Sequence, residues 1–299
     1  MDMDLRGCGT ALVTPFRRDG SLDDEALRRL VRFQLSEGID FLVPCGTTGE
    51  TPTLEHSEYL AVIRIVLGEV AGKVPVIAGV GGNNTRKVAG LAAEVSALGV
   101  QGILSVAPYY NKPTQEGLYQ HFKAIAESST VPTVLYNVPG RTSSNIEPAT
   151  VARLSKIPNI IGIKEASGSV TQQMEVLQAV EPGFCVLSGD DAFTFPLMAL
   201  GGVGVISVAS NEVPGPMSRL AHLLLAGKYD EARKLNTHLL PLMLANFVET
   251  SPIPVKAALA MMGMIEEVYR LPLVPMKTEN RAKLENVLAA QGLLQPQRV

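Results

Sequence analysis

Ile160-Ile161-Gly162-Ile163-Lys164-Glu165-Ala166-Ser167 is an apolar run that stops at a lysine and then turns polar. It reads as a buried strand ending in an amine. Side chains alternate along a strand, so Ile161 and Ile163 are expected on one face and Ile160, Gly162 and Lys164 on the other, with Gly162 leaving room beside the lysine stem. Apolar surroundings disfavour an ammonium, and a neutral amine attacks a ketone to give a Schiff base. A lysine in this place also serves simply to close a strand by reaching out to water. The rest of the chain has to separate these two readings.

Seven further runs of the same kind lie around it, at Gly9 to Thr14, Phe41 to Cys45, Val74 to Gly79, Gly102 to Ala107, Thr133 to Asn137, Cys185 to Gly189 and Gly204 to Val208. Stretches with helical period separate them, among them Asp24 to Gln34, Glu55 to Val70, Thr85 to Leu98 and Glu116 to Glu127. Strands alternating with helices mean βα units and a parallel sheet, and eight strands are the number that closes a (β/α)8 barrel. A doubly wound open sheet gives much the same pattern. After Val208 the strand signal stops. Pro214 and Pro216 open a helix that Gly227 can end, and three more are expected at Tyr229 to Val248, Val255 to Met264 and Thr278 to Gln291. The expected division is a catalytic barrel over residues 1–226 and a helical domain over 227–299.

The balance of the 299 residues, 46% hydrophobic and 18% charged, is that of an ordinary globular chain. A net charge of −3 with a pI near 5.9 gives no footprint for nucleic acid or an anionic membrane. Cys8, Cys45 and Cys185 lie far apart and follow neither disulfide nor zinc spacing, which points to a reducing compartment. The first residues are acidic, without an apolar leader core, and no apolar run reaches the length of a membrane span, so the expected location is the cytoplasm.

In a barrel the chemistry sits just after each strand. Strand two runs into Gly46-Thr47-Thr48-Gly49-Glu50, whose glycines and hydroxyls suit a carboxylate or merely form a polar turn; no Walker lysine follows. Strand four ends in Pro108-Tyr109-Tyr110-Asn111, and strand five in Tyr136-Asn137-Val138-Pro139-Gly140-Arg141-Thr142. Tyr136 precedes Lys164 by 28 residues (164 − 136), one βα unit, so an inward phenol and an inward amine would be neighbours. Arg141 offers a planar fork matched to a carboxylate, or a surface charge. Ser188-Gly189-Asp190-Asp191 ends strand seven; the four scattered histidines supply no partner for a metal there. Gly79-Val80-Gly81-Gly82-Asn83-Asn84 fails as a dinucleotide fingerprint because its third glycine position is Asn84.

Taken together and in order, the motifs Gly46 to Glu50, Pro108 to Asn111, Tyr136 to Thr142, Ile161 to Glu165 and Ser188 to Asp191 resemble the dihydrodipicolinate synthase family over nearly the whole chain. The resemblance implies a Schiff-base pyruvate lyase, on a (β/α)8 barrel with a C-terminal helical domain, working as a homotetramer built as a dimer of dimers. Its partners would be pyruvate and L-aspartate 4-semialdehyde, with no metal and no separate cofactor. By the same resemblance Lys164 forms the imine and Tyr136 shuttles protons. Thr47 and Tyr110 relay them, Tyr110 reaching into the neighbouring subunit's site. Thr48 would bind the pyruvate carboxylate, Arg141 the carboxylate of the second substrate, and Gly189 and Ile206 would line the pocket. Other pyruvate aldolases share fold and lysine; an arginine aimed at a small carboxylate favours the synthase. In lysine-inhibited members the inhibitor sits at positions matching Thr51, His56, Tyr59, Asn83, Lys87 and Tyr109. The residue matching Lys87 is there a glutamate, so the reversed charge implies weak sensitivity or none.

Overall fold

The computed structural model describes residues 3–294. The expected domains extend into residues 1–2 and 295–299, which lie outside the described part. Among the described residues eight strands are formed: β1 (Gly7–Ala11), β2 (Phe41–Val43), β3 (Ile77–Gly79), β4 (Gly102–Val106), β5 (Thr133–Asn137), β6 (Ile160–Glu165), β7 (Cys185–Ser188) and β8 (Gly204–Ser207). Between and after them run α1 (Asp24–Ser36), α2 (His56–Val70), α3 (Thr85–Ser96), α4 (Gln115–Ser128), α5 (Pro139–Thr142), α6 (Pro148–Leu154), α7 (Val170–Ala179), α8 (Thr194–Ala199), α9 (Pro214–Leu225), α10 (Tyr229–Ala245), α11 (Ile253–Met261) and α12 (Thr278–Ala290). All strand pairs are parallel, in the order β2-β1-β8-β7-β6-β5-β4-β3. A parallel bridge from Leu42 to Val76 and a bond from Gly79 N–H to the Pro44 carbonyl (2.9 Å) close the circle. The sheet is a barrel, and the open-sheet alternative falls away.

Two layers of core follow from the alternation of side chains. Phe41, Val43, Ile77, Val134, Leu187 and Ile206 fill the barrel, while a larger cluster packs the strands' outer faces against the helices. The helices start where short polar side chains cap them: Asp23 accepts from Ala26 N–H, Asn84 from Lys87 N–H, Thr114 from Gly117 N–H and Ser169 from Gln172 N–H. Leu239, Leu242 and Met243 of α10 and Leu284 and Leu288 of α12 belong to the same outer cluster as the barrel's helices. The apolar core therefore runs on beyond residue 226.

Three local expectations need correction. The first strand begins at Gly7 and ends at Ala11, because its first residue pairs with Gly204 of β8. In β6 the pairing with β5 skips a residue: Thr133 pairs with Ile160 and Val134 with Gly162, which leaves Ile161 as an extra residue. The extra residue reverses the alternation, so Ile160 packs outward with Ile163 and Ile161 joins the inner cluster. The C-terminal half of the strand keeps the expected faces. Gly162 also serves another purpose than the one expected. A Cβ there would lie 2.6 Å from the Cys185 carbonyl oxygen, so it lets β7 approach. The room beside the lysine stem comes from Gly189, where a Cβ would lie 3.0 Å from both Cγ and Cε of Lys164.

Candidate active site

Tyr136 and Lys164 are paired residues on neighbouring strands, and both point into the mouth of the barrel. The Lys164 Nζ lies 4.4 Å from the centre of the Tyr136 ring, and the lysine is only 5% exposed. Burial pulls its ammonium down to about 8, against the carboxylate of Asp191, so a substantial neutral fraction exists near neutral pH. The Tyr136 phenol is raised by burial, and the charge of Arg141 and the hydroxyl of Thr47 draw it part of the way back. The phenol is thus a proton carrier that stays protonated beside an amine that readily loses its proton.

Behind this pair the strand ends are tied by polar groups on the outer face. Asn137 donates to Glu165 (3.0 Å) and to Asn145 (2.9 Å), Ile146 N–H donates to Asn137 Oδ1 (2.9 Å), and Ser167 N–H donates to Glu165 (2.6 Å). Glu165 is fully buried and alternates with Lys164, so the network holds the strand that presents the amine. Asp191 caps the turn after β8, accepting from Val208 N–H (3.1 Å) and Ala209 N–H (2.9 Å). The paired acids of strand seven therefore act on the site through charge and through the backbone. The sequence motif contained Asp191, but its role depends on a turn 17 residues away.

A cavity of about 390 Å3 opens beside the pair, walled by Thr47, Thr51, Gly81, Tyr109, Tyr136 and Arg141 among others. Thr48 is buried on the adjacent turn, where Thr14 donates to the Gly49 carbonyl (2.8 Å) and Thr51 to the Gly46 carbonyl (2.9 Å). Arg141 sits on the single-turn α5 and donates from Nη2 to the Ser251 carbonyl (3.2 Å). Ile206 is fully buried inside the barrel on β8. Tyr110 does not join this group: it is 88% exposed, at φ 74°.

The six positions of the expected inhibitor site are only partly assembled. Asn83 donates to the Tyr109 carbonyl (3.2 Å), and Thr51 and Tyr109 share the cavity wall. His56 is engaged with Glu94 (3.1 Å), the Tyr59 hydroxyl is buried and donates to the Gly79 carbonyl (2.8 Å), and Lys87 is exposed in the first turn of α3.

A barrel whose mouth holds a buried amine against a phenol, with an arginine and a hydroxyl-bearing turn on the adjoining wall, belongs to the class of enzymes that work through an amine nucleophile. The chain belongs to the dihydrodipicolinate synthetase family, whose model matches residues 4–291. It is 60% identical to a 4-hydroxy-tetrahydrodipicolinate synthase of Koribacter versatilis, over 98% of each chain. The dihydrodipicolinate synthase structure from Thermotoga maritima superposes with a TM-score of 0.95 at 48% identity, covering 97% of this chain and 99% of that one. A chloride-inhibited dihydrodipicolinate synthase from Acinetobacter baumannii, complexed with pyruvate, gives 0.96 at 42% identity, covering 97% and 100%. Among the described residues no helix is long and apolar enough to cross a membrane.

Proposed function

We propose that the chain condenses pyruvate with L-aspartate 4-semialdehyde to give 4-hydroxy-tetrahydrodipicolinate. The observation that carries the reading is the pairing of buried Lys164, its ammonium lowered to about 8, with the ring of Tyr136. Neutral Lys164 attacks the keto carbon of pyruvate, water leaves, and the iminium draws electrons from the methyl group as a proton departs. The enamine carbon then bonds to the aldehyde carbon of the second substrate, whose oxygen takes up a proton. The substrate's own amine adds to the imine carbon and expels Lys164, which closes the ring. Tyr136 carries the protons, and Thr47, whose hydroxyl acts on the phenol, relays them to Tyr110 of a neighbouring copy.

Thr48 takes the pyruvate carboxylate and Arg141 the carboxylate of the semialdehyde, with Gly189 and Ile206 shaping the pocket. The exposed Tyr110 supports an assembly in which each mouth is completed by another copy, a tetramer made of two such dimers acting in the cytoplasm. Residues 1–226 then form the catalytic barrel and 227–299 the helical domain that packs against it. The test is to mix the protein with both substrates and a dihydrodipicolinate reductase. NADPH oxidation that requires all components is the expected result. Turnover of pyruvate with a hydroxylated sugar aldehyde but not with the semialdehyde would overturn the choice of second substrate.

A further inference from the structure

The turn that follows β2 is held by a charge brought from the far end of the chain. Cys45 (φ 57°) and Glu50 (φ 52°) bracket Gly46-Thr47-Thr48-Gly49 in the left-handed region, which residues with a Cβ occupy only where their surroundings hold them. Both oxygens of the Glu50 carboxylate are engaged. One accepts from the Lys256 ammonium and the other from Arg270 N–H (3.3 Å). The side chains of Glu50 and Lys256 are both completely buried. Lys256 lies on α11, and its Nζ is 4.4 Å from the centre of the Phe16 ring, over which the Arg270 guanidinium also lies, at 4.2 Å. Arg270 is fixed in turn by Glu58 and by the carbonyls of Gly20 (2.8 Å) and Thr53 (2.8 Å).

A buried ion pair is a poor source of stability, since apolar residues of similar volume serve as well or better. What it supplies here is direction. Among the described residues the Lys256 ammonium is the only side-chain cation that touches the Glu50 carboxylate, and α11 fixes where it stands. Moving it shifts the strained turn that ends at Glu50. Burial disfavours the Lys256 ammonium, and the Glu50 carboxylate opposes that part of the way.

We propose that Lys256 is a positioning residue for the active site: through Glu50 it sets the Thr47-Thr48 turn at the distance where that turn receives the pyruvate carboxylate. The C-terminal helices are then part of the pyruvate subsite without lending it a group. The inference rests on the reading of Lys164 as the pyruvate-binding amine.

Borohydride trapping of pyruvate on the full-length protein, without the second substrate, measures this directly. The native protein is compared with Lys256→Met, Glu50→Gln and the double variant. Lys256→Met should raise the pyruvate concentration for half-maximal trapping by about tenfold or more, since a displacement of about 1 Å costs up to roughly a hundredfold. Its KM for the semialdehyde should stay within about twofold of native, because Arg141 bonds the backbone carbonyl of Ser251 just before α11, which a change of the Lys256 side chain leaves in place. The double variant leaves no lone buried charge, so its melting temperature should return toward native while half-maximal trapping stays high. Native half-saturation in the double variant overturns the proposal and leaves the pair a merely structural one; so does an equal rise in both KM values. If Lys256→Met does not fold, the double variant decides alone. A native protein that traps no pyruvate at any concentration overturns the Lys164 reading, and the inference with it.

Discussion

The two ends of the barrel hold cavities of opposite character. The larger, about 790 Å3, opens at the N-terminal end beside Asp4, Arg6, Asp40 and Gln101, and the smaller, about 390 Å3, at the C-terminal mouth. At the N-terminal end the polar groups satisfy one another. Asp4 pairs with Arg6 (2.8 Å), and Asp40 accepts from Cys8 N–H (2.8 Å) and Ser218 (3.0 Å) and meets His222 (2.8 Å). Gln101 is used up by Val76 N–H and the Gly99 carbonyl. At the mouth burial lowers an amine to about 8, and among the described residues no hydrogen bond engages it. Size does not mark the functional end; groups left chemically unspent do.

Substitution at the two ends should make that contrast measurable. Lys164→Ala should lower kcat by roughly 10³-fold or more and abolish borohydride trapping of pyruvate, as loss of a nucleophile removes the step it carries. Asp40→Ala, at the other end, leaves Cys8 N–H without its partner; it should cost about 1–3 kcal/mol of stability and leave kcat/KM of the folded protein within about twofold. Peptide mapping of the trapped adduct and denaturant melts check both. Adduct persisting in Lys164→Ala, or activity lost in a well-folded Asp40→Ala, would break the comparison.

Within the mouth the two proposed carboxylate subsites should separate in the same way. Arg141→Ala removes a charge-assisted bond of about 1.5–3 kcal/mol, so kcat/KM for the semialdehyde should fall roughly 10- to 150-fold while pyruvate trapping survives. If pyruvate binding is lost first, the two subsites are exchanged.

How much of this was legible in the chain depended on sequence distance. Tyr136 and Lys164 could be paired beforehand because one βα unit places them on adjacent strands, and the strand runs counted to eight. The start of β1 was hidden by Gly7 and Gly9, since glycine gives little strand signal; Gly9 sits where the Phe41 ring would lie 1.9 Å from an added Cβ. The bulge at Ile161 was invisible because all its neighbours are apolar, so no alternation marks the slip. Glu50 stood within a quoted motif but had no role, as its partner Lys256 is 206 residues away. Long-range charge pairing leaves no local pattern.

The pH dependence offers a finer test of the mouth. Lys164 is lowered by burial to about 8, and its neutral form is the proposed nucleophile, so trapping at low pyruvate should rise with pH, by up to about tenfold per unit well below 8, and level off above it. A limb centred above about 9.5, in the ordinary lysine range, would show that burial does not tune this amine.

The smallest effect on activity is expected at the rim, where the resemblance to lysine-inhibited members puts Lys87 in the place of a glutamate. The sequence implied a large loss of L-lysine affinity, but Lys87 is exposed in the first turn of α3, so solvent screens its charge. Two ammonium groups at about 4 Å in water repel by about 1 kcal/mol, roughly fivefold in affinity. Three neighbouring positions add to the loss, because the polar atoms of Thr51, His56 and Tyr59 are engaged with Gly46, Glu94 and Gly79. Sub-millimolar L-lysine should therefore leave the native activity unchanged. Lys87→Glu should tighten lysine binding by roughly fivefold through the removed repulsion and by a similar factor again through the new attraction, read by titration calorimetry, and should do so more strongly at low salt than at high salt. Tight binding to the native protein would mean that His56 and Lys87 turn aside together when the ligand arrives. Unchanged affinity in Lys87→Glu would instead mean that the three engaged side chains, rather than the charge, close the site.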